Sequence, residues 1–376
     1  MWRPEPLDKI QKWSNSISRA IRDYLEISEN LKLAHFKLAY FIETYEEKSA
    51  LEKTHLNDLW EQHQKYYSFS RKIYDQKKAA PDPDTFKSYY QKINASNTPR
   101  RSLLDLKLEI AEKISESCYL CEKRCGVNRK SQLFDKSGYC NCKKPVIASE
   151  FLHIGEEAPL VPSHTIFFTG CTLHCVFCQN WNTSQRINAG IHLSQKKLAS
   201  IIDARRKQGA LNVNFVGGEP TPHLPFILRT MSHCKENLPV IWNSNFYMSE
   251  ESMWLLQGFV DLYLSDFKFG NDECASRLCA AENYGDVVRR NHIMAKESGN
   301  LIIRHLVLPG HVECCTKPIL SWIAKQLGQD TVVNIMGQYH PDYYAHQYHE
   351  ISRFPFPSEI EEAVLWAKKM GLKNLI

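Results

Sequence analysis

The spacing of apolar residues divides the chain into a helical first part and a second part in which strands and helices alternate. Up to about residue 93 the chain is charged and lacks glycine, and apolar residues such as Ile17, Ile21 and Tyr24 recur at steps of three and four. That period is typical of amphipathic helices. It predicts two or three helices here, and a further helix from Ser102 to Ser117.

From residue 164 onward, short apolar runs alternate with segments of helical period. The runs are rich in β-branched and aromatic residues, as strands are. They are His164 to Thr169, Asn212 to Gly217, Pro239 to Asn245, Val260 to Lys268, Leu301 to Gly310 and Thr331 to Met336. Six successive βα units predict an α/β fold with a parallel sheet, either doubly wound or closed into a complete or partial barrel. In either case the functional site forms at the carboxyl ends of the strands.

Length and composition predict how the chain is divided into domains and in which cellular compartment it is found. The 376 residues suffice for one large domain and a smaller one, and we expect a helical extension (1–100), a helix with a cysteine-rich segment (101–150) and the α/β domain (151–376). The formal charge of +5 is spread along the chain, which does not support nucleic-acid binding. The sequence shows no signal peptide and no apolar run of membrane-spanning length, so we expect a cytoplasmic protein without membrane contact. In that compartment its cysteines would be reduced and available to metals.

Three cysteines follow the first strand of this series in the stretch HTIFFTGCTLHCVFCQNW. Cys171, Cys175 and Cys178 have the spacing C-x3-C-x2-C. A loop at a strand end can give each thiolate to a different iron of a four-iron cluster, which leaves one iron open for a ligand. Part of a zinc site is the alternative.

A second group of cysteines precedes the α/β domain. Cys118, Cys121, Cys125 and Cys140 form C-x2-C-x3-C-x14-C, with Cys142 to spare. Four thiolates close a coordination shell, so we expect a second metal centre, either an iron–sulfur cluster or zinc. The compact spacing favours the cluster. The remaining cysteines lack ligand spacing and are interpreted as small core residues; they are Cys234, Cys274, Cys279, Cys314 and Cys315.

Polar residues and glycines stand at the ends of the next two predicted strands. Gly217 and Gly218 permit close approach of the backbone to a ligand, and Glu219 beside them can pair with an ammonium group. Asn243 and Asn245 end the following strand. Amides in that position face a ligand, solvent or the next loop.

The later strands carry charged residues. Asp266 and Lys268 alternate, so both side chains can point into the barrel mouth, where a structural ion pair is the alternative. Arg304 interrupts an apolar strand, and burying a guanidinium there is costly without an anion. His340 follows the last strand, as a ligand-binding residue or an exposed loop histidine.

The C-x3-C-x2-C motif, with Phe177 before its third cysteine, resembles the signature of the radical S-adenosylmethionine (radical SAM) superfamily. From about Ser102 onward the chain is similar to its pyruvate formate-lyase activating enzyme-like orphan subfamily. The resemblance implies an open six-unit barrel and a [4Fe–4S] cluster with S-adenosylmethionine (SAM) at its open iron. It also implies that SAM contacts the strand-end residues Gly217, Gly218, Glu219, Asn243, Asn245, Asp266, Lys268, Arg304 and His340.

The implied activity is a radical reaction. A one-electron donor such as flavodoxin or ferredoxin would reduce the cluster, and SAM would yield a 5′-deoxyadenosyl radical that takes hydrogen from a substrate. A protein substrate is expected, with a backbone glycine of a glycyl-radical enzyme as the leading hypothesis. Radical modification or methylation of another protein or small molecule is the second hypothesis. A non-catalytic iron–sulfur or zinc protein is the third.

Overall fold

The computed structural model describes residues 15–44, 52–76, 101–130, 137–185 and 190–376. The rest of the predicted helical extension, including residues 77–100, lies outside this part of the chain. The strands are β1 (Ile147–His153), β2 (Ser163–Phe168), β3 (Asn212–Gly217), β4 (Val240–Ser244), β5 (Leu262–Asp266), β6 (Asn300–Leu306), β7 (Val332–Met336) and β8 (Asn374–Leu375). The helices are α1 (Asn15–Ala20), α2 (Arg22–Ser28), α3 (His35–Phe41), α4 (Leu56–Gln76), α5 (Leu103–Glu116), α6 (Trp181–Ser184), α7 (Gln195–Lys207), α8 (Leu224–Met231), α9 (Glu250–Leu256), α10 (Asp272–Cys279), α11 (Tyr284–Ser298), α12 (Lys317–Trp322) and α13 (Pro357–Lys369).

The eight strands form one sheet whose order follows the chain from β1 to β8. Strands β2 to β8 run parallel, and β1 pairs antiparallel with β2. Helices separate the consecutive parallel strands, so the carboxyl ends of β2 to β7 meet at one edge. The predicted α/β fold with a partial barrel is confirmed, and β1 and β8 extend the six predicted strands.

The barrel is closed at the amino ends of its strands by the first two helices, α1 and α2. Ile17, Ile21 and Tyr24 pack with Leu262 and Ile302 in one buried cluster. The Tyr24 backbone NH also donates to Asn300 Oδ1 at 2.7 Å. Helices α1 and α2 therefore form the floor of the barrel, which leaves its other end for a site.

Helix α5 leads along the chain into the cysteine-rich segment. It begins with a capping box, in which Ser102 Oγ accepts from the Asp105 NH and the Asp105 side chain accepts from the Ser102 NH; such boxes satisfy the free NH groups of a first turn. Its buried apolar face includes Leu104 and Ile110 and joins the main core. None of the described helices is long and apolar enough to cross a bilayer.

Candidate active site

A cavity of about 530 Å³ opens at the carboxyl ends of the strands. This volume lies within the roughly 300–1,000 Å³ range of small-molecule sites. Ten of the predicted site residues line it, from the cysteine loop and four strands: Cys171, Cys175, Cys178, Gly217, Gly218, Asn243, Asn245, Asp266, Lys268 and Arg304. Glu219 and His340 are outside its lining.

The loop that carries the three cysteines is fixed by backbone hydrogen bonds to the last turn of α10. The His174 NH donates to the Cys279 carbonyl at 3.2 Å, and the Val176 NH donates to the Leu278 carbonyl at 2.9 Å. Cys171 is only 8% exposed. The loop is thus pre-shaped by its neighbours, as a ligand loop must be if its thiolates are to hold a fixed cluster.

The three thiols are held in their protonated form by their surroundings. Burial raises the pKa of Cys171 well above the ordinary value and that of Cys178 to about 11. A hydrogen bond with Cys279, together with burial, raises the pKa of Cys175. Metal binding must therefore displace protons from this loop. Cys279, interpreted from the sequence as a core residue, is a neighbour of the site that only the fold could reveal.

Gly217 and Gly218 permit a close approach between backbones. A Cβ on Gly217 would lie 2.1 Å from the Phe168 carbonyl oxygen, and one on Gly218 would lie 2.0 Å from the Gly170 carbonyl oxygen. Gly217 also has a φ of +136°, which favours glycine. The two glycines let the end of β3 lie directly against the start of the cysteine loop.

Glu219 is buried behind the cavity wall, and its carboxylate is satisfied within the protein. It accepts from Ser244 Oγ at 2.7 Å, from the Asn245 NH at 2.9 Å and from Thr221 Oγ1 at 2.5 Å. Burial raises its pKa, against the effect of these hydrogen bonds. In this arrangement Glu219 joins the ends of β3 and β4 and presents no oxygen to the cavity.

The two asparagines at the end of β4 differ in their contacts. Asn245 Nδ2 donates to Thr172 Oγ1 at 3.0 Å and lies 3.5 Å from Cys171 Sγ, so it supports the cysteine loop. The Asn243 side chain lines the cavity and makes no hydrogen bond within the described part of the chain. Asn243 therefore has its full hydrogen-bonding capacity available to a ligand.

Asp266 and Lys268 form an ion pair in the cavity wall. Burial acts against the charge of Lys268, but the Asp266 carboxylate raises its pKa. Both residues therefore lie at the barrel mouth, as predicted. They also form the structural ion pair that was the alternative interpretation.

Arg304 reaches across the mouth to two glutamates that precede β2. Its Nε donates to Glu157 Oε1 at 2.7 Å, its Nη2 donates to Glu157 Oε2 at 2.5 Å, and a third contact joins it to Glu156. Asn334 Nδ2 also donates to Glu157, at 2.8 Å. Although burial opposes ionisation of Glu157, these partners lower its pKa. The anion that Arg304 requires is thus supplied by the chain itself.

Glu156 and Glu157 line the cavity but were not predicted from the sequence. The only signal for them was a pair of carboxylates in the segment HIGEEAPL, before the first parallel strand. With Asp266 they place three carboxylates in the lining against Lys268 and Arg304. The formal excess of one negative charge favours a cationic ligand.

His340 lies at the rim of the cavity on the loop after β7. Its ring Nδ1 is 3.0 Å from Gln179 Nε2, and Gln179 lines the cavity beside Cys178. About 47% of the His340 side chain is exposed. It can reach a bound ligand only through Gln179 in this arrangement.

The cysteine-rich segment gathers its sulfurs around one arginine. Arg129 Nε donates to Cys118 Sγ and its Nη2 donates to Cys140 Sγ, both at 2.9 Å. A hydrogen bond from Cys118 lowers the pKa of Cys125 to about 5, and one from Cys142 lowers that of Cys140 to about 6. Thiolates at neutral pH, the form in which cysteine binds metal, are therefore favoured at Cys125 and Cys140. The hydrogen bond to Cys125, together with burial, raises the pKa of Cys118, and burial raises that of Cys121 to about 12.

This segment packs directly on the cysteine loop of the cavity. Cys142 Sγ lies 3.3 Å from the Thr169 carbonyl oxygen, and the Tyr139 ring stacks on His174 with centroids 4.2 Å apart. A metal held by Cys118, Cys121, Cys125 and Cys140 would thus adjoin the loop while remaining outside the cavity.

The closest grouping of three sulfurs lies outside both predicted ligand sets. Among the described residues, three sulfurs that all lie within 4.8 Å of one another occur at Cys274, Cys314 and Cys315. Neither the cavity loop nor the cysteine-rich segment brings its sulfurs so close. A compact group of three sulfurs is therefore found at Cys274, Cys314 and Cys315, outside both predicted ligand sets.

The chain resembles known proteins over different extents. A model of the radical SAM superfamily matches residues 165–323. The uncharacterized protein MJ0674 of Methanocaldococcus jannaschii is 46% identical over 355 residues, covering 93% of this chain and 97% of that protein. MJ0808 of the same organism, also uncharacterized, is 25% identical over 178 residues, or 46% of this chain and 52% of that protein. The structure of Streptococcus suis SuiB bound to S-adenosylmethionine aligns with a TM-score of 0.40 and 14% identity, over 55% of this chain and 47% of that chain.

Proposed function

The chain contains a radical SAM superfamily domain, matched over residues 165–323, and from that premise we propose that it is an enzyme that cleaves SAM reductively and abstracts hydrogen from a protein substrate. The observation that carries the proposal is the convergence of Cys171, Cys175 and Cys178 with the ends of six parallel strands, β2 to β7, on one cavity. A [4Fe–4S] cluster on these cysteines would supply the electron that converts bound SAM to methionine and a 5′-deoxyadenosyl radical.

The residues of the chain would bind and orient SAM. The net negative lining suits a ligand that carries both a sulfonium and an ammonium group. The Asn243 amide is available for the polar part of SAM, and the Lys268 ammonium, although paired with Asp266, lies in the wall where a carboxylate could share it. Burial of the site among the strand ends would limit the access of water to a reactive radical.

A protein substrate is supported by aromatic residues of α6 and of the loop after β7, which contacts the cysteine loop through the hydrogen bond from the Tyr344 NH to the Val176 carbonyl. The rings of Trp181 and Tyr343 stack with centroids 5.6 Å apart, while Tyr344 and Phe354 are 47% and 65% exposed. Exposed aromatic rings of this kind are typical of surfaces that bind other proteins. Within this proposal, a backbone glycine of a glycyl-radical enzyme is the first substrate to test. Flavodoxin or ferredoxin, in the cytoplasm, would be the electron donor.

The experiment is SAM cleavage by the anaerobically reconstituted protein with dithionite. We expect 5′-deoxyadenosine from the wild type and its loss in Cys175→Ala, because removing one of three thiolates leaves a second iron without a protein ligand. Cys234→Ser, which alters a buried cysteine just after the end of α8 and outside the cavity lining, is the matched control and should retain cleavage. Undiminished cleavage by Cys175→Ala would contradict the assignment, and so would its absence from the iron-loaded wild type.

The substrate is tested separately. A candidate glycyl-radical enzyme, incubated with the active protein and SAM, should give a glycyl radical signal in electron paramagnetic resonance. Cleavage of SAM without that signal would exclude this partner and direct the search to another protein or a small molecule.

A further inference from the structure

Three cysteines outside the cavity come together between two turns of the barrel. Cys274 lies in the first turn of α10, while Cys314 and Cys315 lie in the π-helical turn Val312–Thr316 after β6. Cys314 Sγ is 4.0 Å from Cys274 Sγ and 3.8 Å from Cys315 Sγ, and all three sulfurs lie within 4.8 Å of one another. The sequence reading of these residues as core cysteines is wrong for Cys314, which is exposed.

These distances match the spacing of thiolates around one metal ion. A tetrahedral zinc site with Zn–S bonds of about 2.3 Å places neighbouring sulfurs about 3.8 Å apart. Cys274 and Cys315 are buried, whereas Cys314 is exposed, so the cluster has one side toward solvent. That side leaves room for a water molecule as the fourth ligand.

The Asn271 side chain and a close backbone contact at Gly270 hold the two turns together without any metal. Asn271 caps α10 by accepting from the Cys274 NH at 2.8 Å, and its Nδ2 donates to the Cys314 carbonyl at 2.9 Å. Gly270 lies against the same turn, since a Cβ there would be 2.8 Å from the Cys315 Cα. One asparagine thus positions both turns, so little reorganisation would be needed to bind an ion.

We infer that Cys274, Cys314 and Cys315 bind one Zn²⁺ ion through three thiolates, with the fourth coordination position open to solvent. The site would brace α10, whose last turn accepts the hydrogen bonds of His174 and Val176 from the cavity loop. This inference does not depend on the proposed reaction, because none of the three cysteines lines the cavity.

The test is the metal content of the anaerobically purified holoenzyme by mass spectrometry. Wild type and the control Cys234→Ser should contain one zinc per chain more than Cys314→Ser and Cys274→Ser, with equal iron in all four proteins. Cys314 is exposed, so its replacement by serine is the variant that should disturb folding least. Equal zinc in all four proteins would overturn the inference, as would a disulfide between any two of the three cysteines in a peptide map.

Cobalt provides a second readout. Co²⁺ added to the zinc-depleted holoenzyme should produce sulfur-to-cobalt charge-transfer absorption that saturates at one equivalent and is lost in Cys314→Ser. An identical spectrum in that variant would overturn the inference. Hydrogen exchange of the cavity loop should be faster in Cys314→Ser than in Cys234→Ser, and unchanged exchange would overturn the bracing role.

Discussion

At the scale of single residues, the two asparagines that end β4 show that the sequence does not distinguish a side chain that can bind a ligand from one that supports the cysteine loop. Both were predicted to contact the cofactor. Asn245 is engaged with Thr172 and adjoins Cys171, whereas Asn243 faces the cavity without a hydrogen bond to the described protein. Their order along the strand gave no basis for this distinction, because it depends on which loop packs against each amide.

Asn243→Ala should therefore weaken SAM binding without loss of stability. Losing one hydrogen bond of about 0.5–1.5 kcal/mol corresponds to a roughly 2- to 12-fold rise in Kd, measured by equilibrium dialysis on the cluster-loaded protein. The thermal midpoint should stay at the wild-type value because no intramolecular bond is broken. An unchanged Kd would show that the Asn243 amide faces only water in the complex.

Other site residues were beyond prediction for a related reason. Glu156 and Glu157 belong to an irregular segment with no period, and Cys279 approaches Cys175 only through the packing of α10 on the cavity loop. The period of apolar residues indicates which side chains of a helix or strand face a core. It does not report which loop residues fold back onto a strand end.

At the scale of elements, the strands were predictable where both of their faces are buried. The predicted Asn212 to Gly217 coincides with β3, and four other runs contain the observed strand or are offset from it by one residue. The run Leu301 to Gly310 overlaps β6 but continues past its end at Leu306. β1 was missed because its sequence IASEFLH mixes polar and apolar residues, as an edge strand does. β8 has only two residues, too few to produce a pattern.

The ion pairs of Arg304 connect two such elements, since they join β6 to the turn before β2. Arg304→Met should leave Glu156 and Glu157 without a cation, and breaking a buried pair typically costs about 3–5 kcal/mol. We expect a loss of that order in the free energy of unfolding, measured by chemical denaturation. Adding Glu157→Gln should restore part of it.

Arg205→Met is the matched control for this prediction. Arg205 makes a similar two-bond pair with Glu150, at 2.8 and 3.1 Å, on the outer surface of the barrel. This pair is partly buried but more exposed than that of Arg304, with 29% of the Arg205 side chain accessible. Because solvent exposure weakens ion pairs, the control should cost clearly less than Arg304→Met. If Arg304→Met kept the wild-type stability and only weakened SAM binding, Arg304 would contact the cofactor as its strand position first indicated.

At the scale of the whole molecule, the alternation of strands and helices predicted the parallel sheet and the resemblance selected the barrel, but neither predicted the place of the N-terminal helices. Their amphipathic period predicts a buried face without naming its partner. The structure shows that Ile17, Ile21 and Tyr24 fill the floor of the barrel. The partner strands begin more than 130 residues later, and no local pattern records a contact of that range.

The cysteine-rich segment determines whether one molecule holds one or two iron–sulfur clusters. Its position against the cavity loop would place a second cluster beside the first, where it could relay electrons or fix the loop. We predict about eight irons per chain, as two four-iron clusters require. In Cys121→Ala the content should fall to about four, with the SAM-dependent signal of the first cluster retained.

The variants separate this segment from the other cysteines. Cys234→Ser should keep about eight irons, and Cys314→Ser should lose zinc without losing iron. About four irons in the wild type, with one zinc that Cys121→Ala removes, would identify the segment as a structural zinc site. Four irons and no metal that depends on Cys121 would contradict its assignment as a metal centre. The thiolates favoured at Cys125 and Cys140 beside Arg129 would then require another role, such as redox chemistry with a partner thiol.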